Sequence, residues 1–315
     1  MVTIIIPARP EQADVKAVAA ARLLDYPSDR LEIILARGKQ PSVQRNAAIK
    51  AAMGELIYFL DDDSEPRAGN LKKALTHFAH SDVQMVGGPN VCPSNAPRIE
   101  KIFSLVLGSF LAFASSRARY TPVGAARAAS EKELILCNLM ARRSALLESG
   151  GFNEALYPNE ENAMMDDLQR RGGRLIYDPE LVVFRRPRPT LRAFAHMLQT
   201  YGRGRAEQFR VNPSFGSAIN FVPPLFLVYL VLLLPAIFGV GPVAIAPLVL
   251  YILLVIAQAA ALAARGGIVN AVGAAPLIVL THILYGFGFW RGLFTPLNHS
   301  PDRPKTTVEL ERLGK

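Results

Sequence analysis

Short apolar runs alternate with helical patterns along the first part of the chain. The apolar runs cover residues 2–6, 31–36, 56–60 and 83–87, and the helical patterns cover residues 13–24, 42–53 and 68–79. Strand and helix alternating at this spacing predict an α/β fold, with a mostly parallel sheet covered by helices on both faces. Ligands of such sheets bind beyond the carboxyl ends of the strands. We therefore expect the site in the loops at residues 7–12, 37–45 and 61–66.

The second part of the chain is almost free of charge. Arg265 is the only Asp, Glu, Lys or Arg between Arg210 and Arg291. At about 1.5 Å rise per residue, this stretch is long enough to cross a hydrocarbon layer of about 30 Å more than once. Gly241-Pro242 suits a turn between two spans. We predict a transmembrane region of about three helices, over residues 221–240, 243–264 and 268–290.

These patterns divide the chain into a domain at residues 1–210, a transmembrane region at residues 211–291 and a polar tail at residues 292–315. The opening residues lack the pattern of a cleavable signal peptide. We expect a multi-pass protein of the cell (inner) membrane with its front domain in the cytoplasm. Three spans place the tail outside, whereas its basic residues favour the inside, and the sequence leaves that conflict open.

The formal net charge of +9 has a local origin. Arginines cluster just ahead of the first predicted span, at Arg185, Arg186, Arg188, Arg192, Arg203, Arg205 and Arg210. Basic residues in that place attract anionic lipid headgroups. Membrane lipids are therefore an expected partner, and nucleic acid is not. The two cysteines, Cys92 and Cys137, fit a reducing compartment and alone cannot make a zinc site.

A separate apolar run at residues 99–113 is followed by Arg117 and Arg119. It is too short to span a bilayer. The run forms either a buried helix or a helix in the membrane interface, with its arginines at the headgroups.

Three consecutive aspartates, Asp61, Asp62 and Asp63, follow an apolar strand pattern. Adjacent carboxylates repel one another unless a cation or hydrogen-bond donors neutralise them. Mg²⁺ and Mn²⁺ take oxygen ligands, and Mg²⁺ typically binds one or two carboxylates together with substrate phosphates. The aspartates therefore indicate a divalent-metal site. The competing interpretation is a solvated acidic turn in which Asp and Ser64 cap a helix.

A second acidic pair, Glu160-Glu161, precedes a helical pattern at residues 164–171. In the functional interpretation, one of them is a general base that removes a proton from an acceptor hydroxyl. In the structural interpretation, both merely complement the helix dipole.

The segment at residues 201–205 reads Tyr-Gly-Arg-Gly-Arg. Glycines let the backbone come close to a ligand, and the guanidiniums of Arg203 and Arg205 offer forked donors to phosphate oxygens. The same arginines also suit lipid headgroups.

In this order and spacing, the motifs resemble glycosyltransferase family 2, the inverting enzymes with a GT-A nucleotide-sugar-binding fold. The resemblance covers about residues 3–210. It is carried by Ile6-Pro7, Arg45-Asn46, the aspartates after Leu60, the stretches at residues 138–143 and 150–154, and the acidic pair before Leu168.

The resemblance implies a nucleoside-diphosphate-sugar donor, Mn²⁺ or Mg²⁺ held by Asp61 and Asp63, and Glu161 with Glu160 as the catalytic carboxylates. The residues implied in donor binding are Pro7, Ala8, Arg9, Glu11, Arg45, Asp61, Asp62, Arg203 and Arg205. Residues 201–205 and 282–289 are similar to a branch for exopolysaccharide assembly, of the succinoglycan-biosynthesis type. That branch implies a polyprenyl-diphosphate-linked saccharide as acceptor. The alternative is a synthase that loads one sugar onto polyprenyl monophosphate.

The chain departs from the family pattern in several places. It has Arg37-Gly38 where many members have Asp-Gly facing the nucleotide base, so the resemblance does not imply uridine. Arg185 stands where many have a metal-binding His, and Glu160-Glu161 replaces the usual Glu-Asp. We find no Gln-x-x-Arg-Trp motif of processive synthases, which favours addition of a single sugar.

Two interpretations outside catalysis compete with this one, namely a transporter and an inert nucleotide-sugar-binding subunit. The predicted spans carry no Asp, Glu or Lys, the groups that usually mark a transport path. Both acidic sites are retained, which argues against an inert subunit.

Overall fold

The computed structural model describes residues 1–154, 160–211, 213, 215–296 and 307–314. These residues divide into two compact units. Residues 1–93, 115–186 and 307–314 lie in the first unit, and residues 94–114 and 187–296 lie in the second. The units do not follow the expected boundary at residue 210, because residues 187–210 belong with the apolar helices. Arg303 and Lys305 of the predicted polar tail lie outside the described residues.

The strands are β1 (Val2–Ala8), β2 (Leu31–Arg37), β3 (Leu56–Leu60), β4 (Glu65–Pro66), β5 (Val83–Gly87), β6 (Asn90–Val91), β7 (Arg127–Ala128), β8 (Asn138–Arg142), β9 (Arg174–Tyr177), β10 (Val183–Phe184) and β11 (Glu309–Leu313). The α-helices are α1 (Lys16–Arg22), α2 (Pro41–Ala51), α3 (Asn70–His77), α4 (Arg98–Leu107), α5 (Phe110–Phe113), α6 (Arg143–Glu148), α7 (Glu160–Arg170), α8 (Leu191–Val211), α9 (Val222–Val240), α10 (Ala246–Gly266) and α11 (Ile268–Phe294).

The main sheet of the first unit has the strand order β11-β2-β1-β3-β8-β5-β9-β7. The predicted α/β fold is confirmed, and β2, β1 and β3 are parallel as expected. Beyond β3 the sheet is mixed, because β8 runs antiparallel between β3 and β5. Residues 94–114, which lie between β6 and β7 in the chain, belong to the second unit.

Every residue of β1 is buried. Ile4 and Ile6 pack into the core on one face of the sheet, and Ile5 packs into the core on the other. Parallel strands covered on both faces read as continuous apolar runs. This pattern is the reason that β1, β2, β3 and β5 were predicted from the sequence.

The last strand, β11, was not predicted. It pairs antiparallel with β2, with Glu309 opposite Arg37 and Leu313 opposite Ile33. Its signal in the sequence is a short alternation of apolar and charged residues, and Leu310 and Leu313 pack against the two cores. Part of the predicted polar tail is therefore an edge strand of the main sheet.

The second unit is built around α11, which contacts α8, α10, α9 and α4. A Cβ atom on Gly202 would lie 2.0 Å from the carbonyl oxygen of Tyr285, and one on Gly288 would lie 2.1 Å from that of Gln199. Only glycine allows the backbones of α8 and α11 to approach so closely. Three stretches are long and apolar enough to cross a membrane: Ala218–Val240, Pro242–Gly266 and Ile268–Phe294.

We predict that Arg312→Ala will destabilise the first unit. Arg312 donates from Nη1 to the buried Glu32 carboxylate at 2.6 Å and from Nη2 to the Ala51 carbonyl at 2.7 Å. Removing it leaves a buried acceptor without this partner, at a cost of about 1–3 kcal/mol. Thermal unfolding in detergent measures the effect. Lys72→Ala is the control, since its pair with Asp25 is exposed and worth at most about 1 kcal/mol. Equal melting temperatures for the two variants would contradict the prediction.

Candidate functional site

Asp61, Asp62 and Asp63 lie directly beyond the carboxyl end of β3, in the middle of the main sheet. The five residues of β3 are buried, whereas the three aspartates are partly exposed. A turn shapes this loop: the Ser64 amide donates to the Asp61 carbonyl at 3.1 Å, and the Asp61 amide donates to Ser64 Oγ at 3.2 Å. The buried strand therefore holds the carboxylates at the expected ligand-binding edge.

Arg45 connects the two acidic motifs. It projects from α2, with a side chain that is only 7% exposed. Its Nη2 donates to Asp61 Oδ1 at 3.0 Å, and its Nη1 lies 3.8 Å from Glu160 Oε1. The guanidinium also sits over the Phe152 ring, 5.8 Å from its centroid. Thus one buried cation brings the end of β3 and the first turn of α7 into one cluster.

Arg185 is the second cation of this cluster. It follows β10, which pairs with β4 and β6 in a small separate sheet, and its amide donates to the Val91 carbonyl at 3.0 Å. Its Nη1 lies 3.3 Å from Asp61 Oδ2, and its Nε donates to Asp63 Oδ1. Burial lowers the pKa of Arg185, but Asp61 and Asp63 outweigh that effect and hold it well above its ordinary value.

Cys137 is a buried thiol beside this cluster. Burial is the main reason that its pKa is raised to about 12, an effect that Arg185 opposes. A neutral thiol is a poor nucleophile and a poor metal ligand. Cys137 is therefore a packing residue next to the acidic loop.

The donor set at this edge fits a divalent ion in chemical kind. Asp61 and Asp63 offer carboxylate oxygens, and Mg²⁺ is commonly bound by one or two carboxylates with substrate phosphates completing its shell. Within the described residues, no group of three or more His, Cys, Asp or Glu side chains is placed to hold a metal. A third protein ligand from those residue types is thus absent there, and Arg185 stands beside both aspartates.

Glu160 is the most perturbed acid of the cluster. It opens α7 and is 4% exposed. Burial, and next the neighbouring charge of Glu161, raise its pKa to about 7, while Arg45 and Ser42 act in the opposite direction. A carboxylate with this pKa is suited to accept a proton near neutral pH. Glu161, which the family resemblance names first as the base, is partly exposed on the same helical turn.

The other predicted donor residues fall in different surroundings. Pro7 and Ala8 are buried at the end of β1, while Arg9 and Glu11 are exposed in the loop that follows. Arg203 and Arg205 lie on α8 in the second unit, where Arg203 Nε is 3.2 Å from Glu207 and Arg205 donates to Gln208 at 3.0 Å. Their action on the donor stays a prediction.

Arg37 stands where the family resemblance suggests an Asp, and the structure gives it a structural role. Its Nε donates to Glu311 of β11, and its Nη1 donates to the Gln12 carbonyl at 2.8 Å. It therefore fastens the last strand to the loop after β1. Nothing in the local sequence indicated this contact, because Arg37 and Glu311 are 274 positions apart.

Comparison with known proteins agrees with the fold. Residues 56–264 match the family model described as Glycosyl transferase family group 2, and the chain belongs to this family. Pre-mycofactocin glycosyltransferases from two strains of Mycobacterium tuberculosis, CDC 1551 / Oshkosh and ATCC 25618 / H37Rv, are 29% identical to it over 175 residues. The match covers 52% of this chain and 34% of those relatives, so the chain spans about a third of their length.

A solved structure shows the same fold. It is a mannosyltransferase from Pyrobaculum calidifontis in complex with GDP-Man and Mn²⁺, with a TM-score of 0.51 at 19% sequence identity. The match covers 93% of this chain and 87% of that one. The predicted GT-A fold is thereby confirmed.

The raised pKa of Glu160 predicts that the stability of the folded protein depends on pH. Its pKa is about 7 in the folded state against an ordinary 4.5, so the fold favours the protonated form. The penalty for ionising it is absent below pH 4.5, grows up to pH 7 and is constant above. Compared with Glu160→Gln, the wild type should therefore lose stability between pH 4.5 and 7. Melting temperatures of both proteins at pH 5 and pH 8 measure this, with Glu11→Gln as the control for loss of one carboxylate. A difference that does not change with pH would contradict the assignment.

Proposed function

We propose that the protein is an inverting glycosyltransferase that moves a sugar from a nucleoside-diphosphate-sugar to a polyprenyl-diphosphate-linked saccharide, in exopolysaccharide or cell-surface glycan assembly. The observation that carries the proposal is the contact of Arg45 with both Asp61 and Glu160. This contact brings groups that can bind a diphosphate and a carboxylate that can accept a proton into one site. Membership of the glycosyl transferase family supports the same chemistry.

At the donor end, the cluster is arranged to bind and orient a diphosphate. Asp61 and Asp63 would hold Mn²⁺ or Mg²⁺, which when bound neutralises charge on the diphosphate oxygens. The guanidiniums of Arg45 and Arg185 are forked donors of the kind that bind phosphate oxygens. We assign Asp62 to the donor sugar or ribose. In this proposal, the guanidiniums of Arg203 and Arg205 help to neutralise the negative charge that develops on the leaving diphosphate.

At the acceptor end, a carboxylate on α7 removes the proton of the attacking hydroxyl. The acceptor oxygen forms a bond to the anomeric carbon on the face opposite the diphosphate. The bond from that carbon to the diphosphate oxygen breaks, and the leaving group keeps the electron pair. One displacement of this kind inverts the configuration. Glu161 is our first choice of base, as the family resemblance implies, and Glu160 is the second.

A lipid-linked acceptor requires a site at a membrane. The apolar helices α9, α10 and α11 and the arginines on α8 support a location in the cell (inner) membrane, with the first unit on the cytoplasmic side. The basic cluster would also attract anionic headgroups around the lipid carrier.

The proposed function is tested by incubating the purified protein with a panel of nucleotide sugars, Mn²⁺ or Mg²⁺, and membrane lipid extract. We expect labelled sugar in a lipid fraction that, on hydrolysis, releases a saccharide longer by one sugar. Thin-layer analysis that finds a single sugar on a bare lipid phosphate would replace this function by the polyprenyl-monophosphate synthase. Absence of transfer from every donor would contradict both.

The choice of base is tested with Glu161→Gln and Glu160→Gln. Glutamine keeps the size of the side chain but removes its basicity, so loss of the true base should lower turnover roughly 10²- to 10⁴-fold. Donor affinity should barely change. Turnover, donor affinity and melting temperature are measured on the same preparation of each variant. Normal turnover in Glu161→Gln with a large loss in Glu160→Gln would transfer the role to Glu160. Normal turnover in both would remove α7 from the chemistry.

We expect Asp63→Ala to abolish transfer without unfolding the protein, and excess EDTA to abolish it in the wild type. The change removes one carboxylate that would hold the ion and leaves Arg185 without its Asp63 partner. Transfer rates and melting temperatures are compared with Asp25→Ala, which removes an exposed aspartate outside the site. Full turnover in EDTA would contradict the metal dependence.

A further inference from the structure

The last strand restricts how often the chain can cross a membrane. β2 precedes all the apolar helices in the chain, and β11 follows all of them. The two strands are hydrogen-bonded neighbours from Ile33 to Arg37 in the same sheet. Two strands of one sheet lie on the same side of any bilayer. The helices between them must therefore cross an even number of times, and three crossings are incompatible with the sheet.

The same restriction applies to the bent helix pair within residues 98–119. By length and composition, α4 and the helical segment after it pass as one span only if their 60° bend is ignored. β6 before the pair contacts β10, and β8 after it contacts β3 and β5, all in the first unit. The pair therefore enters and leaves on one side. A buried helix and a helix in the membrane interface, the two alternatives for residues 99–113, are both compatible with this pairing, and only a crossing is excluded.

The packing of α11 identifies the helix that does not cross. Its second half lies against α8 at backbone contact distance: a Cβ atom on Gly292 would be 2.5 Å from the Arg203 carbonyl oxygen. Arg210, at the end of α8, donates to the carbonyls of Gly292 and Thr295 at 3.1 and 2.6 Å. Charged side chains on α8 thus lie beside the second half of α11, and the two segments share one depth relative to a membrane. Charged side chains are costly in the hydrocarbon layer and suit the headgroup region.

The other two apolar helices differ from α11 in their surroundings. Over the most apolar 18 residues of each stretch, 6% of the residues are buried in the stretches that contain α9 and α10, against 22% in α11. Val231 is 77% exposed and Phe238 is 90% exposed. Apolar surface of this extent fits lipid acyl chains. Gly241, with a φ of +80°, allows the sharp reversal between the two helices.

We propose that α9 and α10 enter the bilayer and return, that α11 lies with α8 at the membrane surface, and that β11 stays on the side of the catalytic unit. The lipid bilayer is the occupant of the exposed apolar faces. The inference rests on the membrane location proposed above and is independent of the sugar-transfer chemistry. With two crossings in place of three, the basic tail lies on the side of the catalytic unit, as its charge favours.

The test uses one introduced reporter cysteine at a time in the full chain carrying Cys92→Ala, with the buried Cys137 retained. The reporters are Leu23→Cys in the first unit, Arg265→Cys at the end of α10, and Gly314→Cys after β11. Each is exposed to a membrane-impermeant maleimide in sealed vesicles of known orientation, with detergent-opened vesicles as the control. We expect all three to be labelled from the same side.

Labelling of Gly314→Cys or Arg265→Cys from the side opposite Leu23→Cys would overturn the inference. Carbonate extraction of the same vesicles separates this failure from that of the proposed function. Release of the protein by carbonate would overturn the membrane location and the inference with it. Retention with opposite labelling would overturn the inference alone, and transfer activity measured on the vesicles reports on the chemistry separately.

Discussion

The balance between clustered carboxylates and two guanidiniums, that of the buried Arg45 and that of the partly buried Arg185, is the interaction on which the site depends. Arg45 pairs with Asp61 and Glu160, and Arg185 pairs with Asp61 and Asp63. Like charges at such distances repel, and a buried charge is stable only when it is paired. Removing one partner from a buried pair is costly because the other charge remains. The acids and arginines therefore depend on each other, and neither set is explained alone.

Much of the first unit can be understood as the support of this balance. β3 lies between β1 and β8 and ends where the aspartates begin. α2 brings Arg45 to the same edge, and Arg185, which follows β10 of the small sheet, contacts the same Asp61. The raised pKa of Glu160 is a consequence of the same burial. In this account, burial and close approach of the charged groups make the cluster costly to fold. The same properties suit it to bind a diphosphate and to accept a proton.

The sequence predicted the parts of the fold that depend on local patterns. β1, β2, β3 and β5 read as continuous apolar runs because they are covered on both faces, and the long apolar helices are plain from composition. Asp61–Asp63 could be placed because a strand end defines a ligand edge. The unexpected features join distant segments: β11 with β2, Arg37 with Glu311, and Arg45 with Glu160. Such pairings leave no local signal, since each partner alone is an ordinary charged residue or a short alternating strand.

The topology illustrates the same limit. Hydropathy treats each apolar helix as independent, so it counts α11 with α9 and α10. The pairing of β11 with β2 adds a constraint that no window of the sequence contains. In the topology proposed above, this pairing also accounts for the conflict between the basic residues after α11 and a count of three spans.

The central claim is that Arg45 unites donor binding and proton transfer in one site, and Arg45→Met tests it most directly. Methionine keeps much of the apolar stem and removes the charge. Donor affinity, transfer rate and melting temperature are measured together, with Arg143→Met as the control, since Arg143 donates to the carbonyls of Ile49 and Lys50 at the end of the same helix. Loss of a charge-assisted hydrogen bond predicts that donor affinity and transfer both fall, by about 10- to 100-fold. Unchanged affinity and transfer with only a lower melting temperature would contradict the account.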